Sequence, residues 1–576
     1  MSGKKAVMES WARTWLVLLL LPGLVHAAGE PDCRPLTAVD ADGLAAYEFD
    51  TNANPLDELP DGATYRLGEI TVVRQNVFED EENWLERLAN RYNWRTRDNV
   101  VRSVLPVVSG EEVNRRRLEE AERILRRKVY LYDARVIPRR LCGDELDVYV
   151  VTRDVWTLTP RVTVARSGGE NTLGLGLSDS NVLGTGKGIL FNYQKDEDRR
   201  GYTVAYTDPN VADSRWAMNL MVVDNDDGER LQGSVSYPFF SLDTRRAFVL
   251  SGDDFTRDEG LYFLGEKRWE FSAQSRYLRV AGGWSGGLEG RFVNRWLVGY
   301  GFEEQRFELP DSLLQTFPAL EQPDREFGYP FVAFERREDD HEKRMNLDHV
   351  QRTEDVSLGR RYYGELGLSS SATGGAGEHL IGRFSVSDAA WLTPQHLVSV
   401  QARLNGYYDL NERRGENVVA AGGVSYRYQQ AEAWSLLVQG SAALTHNATL
   451  DRQLLLGGSD GLRGYPNRYQ IGDRRFLITV EERYYSNLYP WRLFRLGAAA
   501  FVDVGRAWYQ GEAPAWVPDE RGADHFDVLS NAGVGLRLES TRTRGDLVLH
   551  LDVAFPLRSG PDVRGMEVTL SAKQTL

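Results

Sequence analysis

"LVLHLDVAF", Leu547 to Phe555, alternates without a break. Leu547, Leu549, Leu551, Val553 and Phe555 share one face, and Val548, His550, Asp552 and Ala554 share the other. A period of two is the mark of a strand. From about Thr157 to Leu576, segments of roughly ten alternating residues follow one another, separated by polar or Gly-rich turns, as in a membrane barrel. A soluble sandwich alternates as well, so the pattern alone does not separate the two. The length of the run favours a barrel. So do Tyr484, Tyr485, Trp491 and Trp508, placed near strand ends as in an aromatic girdle. Closure also removes the edges that an open sheet of this size would expose. The expected fold is mainly β: a transmembrane antiparallel barrel over 157–576, of about sixteen to twenty strands.

The N-terminus agrees with export. Lys4 and Lys5 precede an apolar run, Trp15 to Leu21, and then Val25-His26-Ala27. This reads as a signal peptide over 1–27, its apolar run too short to span a bilayer. Mean hydropathy is −0.43, and no later stretch approaches the ~18 apolar residues of a helical span. Residues 28–64 are polar and acidic with Pro31, Pro35, Pro55 and Pro60, and read as an extended tail or linker. Residues 65–156 read as a small α/β domain. Gly68–Val73 alternates as a strand. Trp84, Leu85, Leu88 and Tyr92 give Asn83–Asn93 helical spacing. Asp98 is placed to cap a second helix, and Glu111–Lys128 is strongly helical, with Val113, Leu118, Ala121, Ile124 and Leu125 on one face. Strands follow at Ala134–Pro138 and Glu145–Val151.

Net charge is −15, which disfavours nucleic acid as a partner, since such binders need a basic face. The two cysteines, Cys33 and Cys142, form neither a disulfide framework nor a zinc site. In an oxidising compartment they are able to pair and tie the tail to the domain; the sequence leaves that open.

"LLLGGSDGLRGYPNRY", Leu454 to Tyr469, fits G-x-S-x-G around Ser459. A nucleophile elbow needs a helix after the serine, and Gly461, Gly464 and Pro466 oppose one. None of the eight histidines has a triad context. Gly184–Gly188 lacks the spacing of a phosphate loop, and no H-E-x-x-H or Cys cluster is present. No enzyme, cofactor or metal is expected.

Two motifs about forty residues apart carry a family resemblance. Leu462-Arg463-Gly464-Tyr465 resembles the [VL]-R-G-[FY] loop tip, and Phe501-Val502-Asp503-Val504-Gly505 the F-x-D-x-G strand, of the outer-membrane insertase and translocase superfamily of BamA and TamA. The two-partner secretion pores are cousins. The resemblance spans about 65–576: the α/β domain is similar to one POTRA domain, Asn83–Asn93 looks like an insertion in it, and Gly174–Gly188 is similar to the family's lead into the barrel. It implies that the long loop, 450–472, is the sixth extracellular loop and folds into the lumen. Arg463 would there pair with Asp503 and with a glutamate one strand earlier, here Glu481. Alternation independently puts Glu481 and Asp503 on the lumen face, because Phe476, Ile478, Val480, Val502 and Val504 occupy the other. By parity Glu482 falls on the lipid face and belongs near a rim.

What the resemblance implies for function is insertion or export of client proteins at the outer membrane of a Gram-negative bacterium, without nucleotide. Outer-membrane lipids and unfolded clients would be partners, with a periplasmic accessory protein left open. A client strand would add to a domain edge near Val136 or Val148. The alternatives are a passive or gated pore, a lipid-handling or structural barrel, and a dedicated secretion translocator. One POTRA-like domain is fewer than in BamA or TamA, and the chain ends in Thr575-Leu576 instead of the family's aromatic residue.

Overall fold

The computed structural model describes residues 33–49, 54–77, 87, 91, 93–345, 347, 353–490, 494–518, 527–540 and 547–574. The signal peptide, most of the Asn83–Asn93 helix and Trp491 lie outside the described residues.

Among the described residues the N-terminal domain is a five-stranded sheet with two α-helices. Its strands are β1 (Cys33–Pro35), β2 (Thr64–Gln75), β3 (Glu112–Asn114), β4 (Leu131–Cys142) and β5 (Glu145–Asp154), in the spatial order β1-β4-β5-β2-β3. Helix α1 is Asp98–Val104 and α2 is Arg115–Arg126. The expected helix start at Glu111 gives way to Arg115, because Thr64–Arg66 takes Glu112–Asn114 into the sheet. Asn114 then caps α2, its side chain accepting the Arg117 N–H at 3.0 Å. Asp98 is the first residue of α1 and not its cap; Arg97 holds the cap position without a side-chain bond. Leu118, Ala121 and Leu125 turn inward with Val136, Val148 and Val150 to form the main core.

Two expectations are corrected here. The 28–64 segment is no extended tail where it is described. Leu44 and Phe49 cover the second sheet face over Val73, Ile137, Tyr149 and Val151, while Leu56 and Leu59 enter the main core. A few spaced apolar anchors suffice to dock a polar segment, and Cys33 is disulfide-bonded to Cys142. The client-edge expectation divides: Val136 lies on β4, an edge strand over most of its length, although its side chain, like that of Val148, is in the core, 1 % and 2 % exposed. Val148 lies on the central strand, in register with Ile70 on one side and Pro138 on the other. The hairpin β4–β5 looked free on β5 because sequence order does not tell that β2 inserts in parallel beside it.

The remaining chain closes into a barrel of twenty antiparallel strands among the described residues, from Leu158–Ser167 to Glu567–Gln574. Its outer wall is apolar: Val162, Leu175, Val298, Val480, Val534, Leu536 and Phe555 are all exposed. Its inner wall carries Glu365, Glu481, Asp503, Asn531 and Asp552, all buried. A wall this apolar in water would be one continuous sticky patch; in lipid it is the expected surface of a transmembrane barrel. No helix among the described residues is long and apolar enough to cross a membrane. Trp434 joins Tyr484 of the expected girdle, the two rings tilted against each other with centroids 4.9 Å apart. Tyr485 is buried and faces inward, its hydroxyl donating to the Leu347 carbonyl.

Closure is thin. Among the described residues the first and twentieth strands lie side by side but share a single register pair, Leu570↔Arg166. Even the short contact of the tenth strand, Arg325–Glu338, with the eleventh, Arg361–Ser369, runs from Phe331↔Gly367 to Arg337↔Arg361. Between these two strands a hairpin, Asp340–Met345 with Thr353–Leu358, hangs from the barrel. The N-terminal domain sits at that same end, against the turn holding Asn181, which donates to Thr96 Oγ1 at 2.9 Å, and the turn holding Asp243, which pairs with Arg116 at 2.7 Å.

Candidate functional site: a loop locked inside the barrel

The loop between the fifteenth strand, Trp434–His446, and the sixteenth, Arg474–Tyr485, opens at the end far from the N-terminal domain. It is the eighth loop at that end, not the sixth, because the barrel is larger than the count behind that expectation. The loop folds into the lumen as the resemblance implied. Leu456, Leu462, Tyr465 and Tyr469 are buried with Ala507 and Leu529. Residues 457–468 run as successive turns with no helix after Ser459, whose hydroxyl meets only Asp460, at 3.3 Å.

Arg463 stands at the loop tip, 3 % exposed. Its Nε and Nη2 meet Asp503 Oδ2 and Oδ1 at 2.9 and 2.8 Å, a two-pronged pair. Nη1 donates to Glu481 Oε2 and to Asp552 Oδ2, each at 3.0 Å. The guanidinium carbon lies over the Phe501 ring, 3.2 Å from its centroid. Around this core, Arg483 Nε donates to Glu481 Oε1 at 2.8 Å, and Arg537 bridges Glu481 and Asp552. Thr479 and Asn531 each donate to Asp503 at 2.9 Å. Three carboxylates (Glu481, Asp503, Asp552) face three guanidiniums (Arg463, Arg483, Arg537), so the cluster is neutral only while the loop is in place.

The residues next to Arg463 make the close fit possible. Gly464 donates its N–H to Asn531 Oδ1 at 3.2 Å, and a Cβ there would sit 2.7 Å from the Asn531 Cβ. Tyr465 donates its hydroxyl to the carbonyls of Ser530 and Arg558. At Gly505 a Cβ would press on the Phe476 carbonyl at 2.9 Å. The three expected members, Arg463, Asp503 and Glu481, are thus brought together. Asp552 was missed as a partner. Alternation placed it on the lumen face, but alternation carries no height along the barrel, and only the stagger of the strands brings it level with Arg463. Glu482 points outward three residues from the end of its strand, near the rim, as its parity required.

The same loop has a second grip. Asn467 donates to Glu197 at 3.0 Å, and Arg468 pairs with Asp198 while lying over the Tyr262 ring at 4.2 Å. The Tyr262 hydroxyl also donates to Asp198, at 2.9 Å. Gly458 passes close to Gly168, in the turn after the first strand, where φ is 55° and a Cβ would strike the Asn467 amide. Arg463 therefore holds the C-terminal strands while Asn467 and Arg468 hold turns of the N-terminal ones. The loop straddles the single-pair seam.

Against known proteins, no family model matches the chain, and no curated protein does. Among solved structures it is similar to BamA from Haemophilus ducreyi lacking POTRA domains 1-3, at 12% identity over 88% of this chain and 85% of that one, TM-score 0.37. CdiB from Acinetobacter baumannii gives 13% identity, 88% and 73% coverage, and 0.41. The FrpB iron transporter from Neisseria meningitidis gives 9%, 74% and 84%, and 0.39. An iron transporter scores as well as the others, so this likeness does not single out a task.

Proposed function

We propose that the protein is an outer-membrane factor that inserts or exports client polypeptides in a Gram-negative bacterium, with its N-terminal, POTRA-like domain in the periplasm. The observation that carries this reading is the buried Arg463–Asp503–Glu481–Asp552 cluster, which holds a loop across a barrel seam with one register pair among the described residues. A loop whose release uncovers charge and loosens a seam is a two-state element. Seam opening would offer unpaired backbone to an incoming strand, whose hydrogen bonds replace those broken. The chemistry needed is strand exchange, which uses no cofactor or nucleotide. Outer-membrane lipids would contact the apolar wall throughout.

The test is photo-crosslinking in the native cell from Val164, an exposed residue on the first strand beside the seam, with mass spectrometry of the captured chains. Several unrelated nascent barrel proteins indicate a general insertase, and one large secreted protein a dedicated translocator. Capture of lipid alone overturns the proposal.

A gated pore is the second reading. It is favoured by a cavity of about 570 Å³ on the lumen side, lined in part by Ser387, Gln401, Gly423, Ser425, Gln439 and Ser441. Large steady conductance in planar bilayers, with no polypeptide captured, would establish it.

A further inference from the structure

β4 is an edge strand of the N-terminal sheet along most of its length. β1 and the two residues after it cover Arg139–Cys142, and β5 takes the other side. In an antiparallel ladder alternate residues direct both backbone groups outward. On β4 those residues include Ala134 and Val136, and unpaired groups of this kind recruit a further strand. Here they are met by side chains. The Ala134 carbonyl accepts from Arg126 Nη1 at 3.1 Å, and the Val136 N–H donates to Glu122 Oε1 at 2.8 Å. Both capping residues come from α2 and bond each other at 3.2 Å.

The two caps are also the docking contacts with the barrel. Arg126 meets Asp355 with two bonds of 2.7 Å, and Glu122 receives Lys343 Nζ at 2.7 Å. Lys343 and Asp355 stand on the two strands of the hairpin between the tenth and eleventh barrel strands. Arg123 and Arg116 extend the contact to Asp339. Glu122 and Arg126 are 0 % and 5 % exposed, and burial of such charges is tolerable only while every partner is present.

We propose that this ion-pair array is a latch. With the hairpin docked, Glu122 and Arg126 occupy the β4 edge. When the N-terminal domain leaves the hairpin, both side chains lose their barrel partners and swing to water, and the edge from Ala134 to Val136 becomes a docking site for an extended polypeptide strand. The occupant follows from the vacated groups: an N–H and a carbonyl two residues apart are what a neighbouring strand supplies. Pro138 has no N–H, which confines the site to the segment before it. The identity of the incoming strand rests on the client-handling reading above; the latch does not.

The test uses the full chain with Lys343→Met and Asp355→Asn together, both outside the N-terminal domain. Hydrogen–deuterium exchange at single-amide resolution is read across Tyr132–Pro138. The Val136 amide is expected to exchange about tenfold faster or more. Arg135 and Ile137, directed at β5, and the core amides of α2 stay as in the wild type. Asp355→Glu alone, which keeps the ion pair, restores slow exchange. A labelled synthetic peptide of sequence Glu567–Gln574, an alternating strand, is expected to bind the double variant and not the wild type. Unchanged exchange at Val136 overturns the latch. Faster exchange without peptide binding overturns the docking site. Failure of seam crosslinking to capture clients would leave both results standing, so the two proposals fail separately.

Discussion

Arg463 is the residue on which the lumen cluster turns. Removing it leaves three carboxylates against two guanidiniums in a buried site. Breaking one side of such a pair costs about 3–5 kcal/mol. Arg463→Ala is therefore expected to keep a folded barrel and to release the loop, with client assembly or export falling at least about tenfold. Limited proteolysis at 457–468 beside an activity assay checks both halves, and full activity with a released loop would sink the cluster's role. Arg463→Lys should rescue little, because a lysine cannot meet Asp503 two-pronged while reaching Glu481 and Asp552. A second residue acts through pH. Asp154 closes β5 with one oxygen accepting the Thr96 N–H at 2.6 Å and the other without a partner. Burial away from water pushes its carboxyl up from 3.8 to about 7, only partly offset by the Thr96 bonds. The sign follows from proton uptake. Between these two values the folded domain holds a proton that the unfolded chain has lost, so stability falls as pH rises, by at most about 1.4 kcal/mol per unit. Asp154→Asn should flatten that fall and stabilise the domain at pH 8. Denaturant melts of the full chain, followed by exchange in β2–β5 from pH 4 to 8, read it directly.

At the scale of elements, the loop and β1 each act as ties. The loop grips both sides of the seam, so Arg468→Ala should loosen the seam while leaving the Arg463 cluster intact. With cysteines placed at Arg166 and Leu570, the disulfide-trapped fraction is expected to drop in the Arg468→Ala background; an equal yield would show that the seam holds without the strap. The Cys33–Cys142 bond spans 109 residues. Disulfides typically stabilise by about 2–4 kcal/mol. Cys142→Ser should lower the melting point of the N-terminal domain and release β1 from Arg140–Cys142, read as faster exchange there. Elements were legible in the sequence where their period was strong and local. The helix over Arg115–Arg126 and the strand pair β4–β5 appear close to where periodicity put them. β3 was hidden inside the helical pattern because a three-residue strand has no period of its own.

At the scale of the molecule, the domain, the hairpin and the barrel meet through charge. Arg116, Arg123 and Arg126 of α2 face Asp243, Asp339 and Asp355 of the barrel end. Asp339 and Asp355 are held below the usual carboxylate range despite burial, by His341 and Arg123 in one case and Arg126 in the other. Their stabilisation is complete above the ordinary aspartate value and is lost as pH falls through the depressed one, so acid should undock the domain before it unfolds the barrel. Faster pepsin cleavage within the 340–358 hairpin below pH 4, with barrel circular dichroism unchanged, is the expected result.

The sequence by itself determined the class of wall and the direction of each side chain, because a strand's period of two is set locally by the backbone. It was enough to put Glu481, Asp503 and Asp552 inside and Ile478 and Val502 outside, and its two motifs, through their family resemblance, marked Arg463 as the partner of Glu481 and Asp503. The tertiary structure alone decided the count of twenty, the single-pair seam, the height that brings Asp552 to Arg463, and the insertion of β2 beside β5. Each of these depends on stagger or pairing between segments far apart in the chain, and neither leaves a trace in the local alternation.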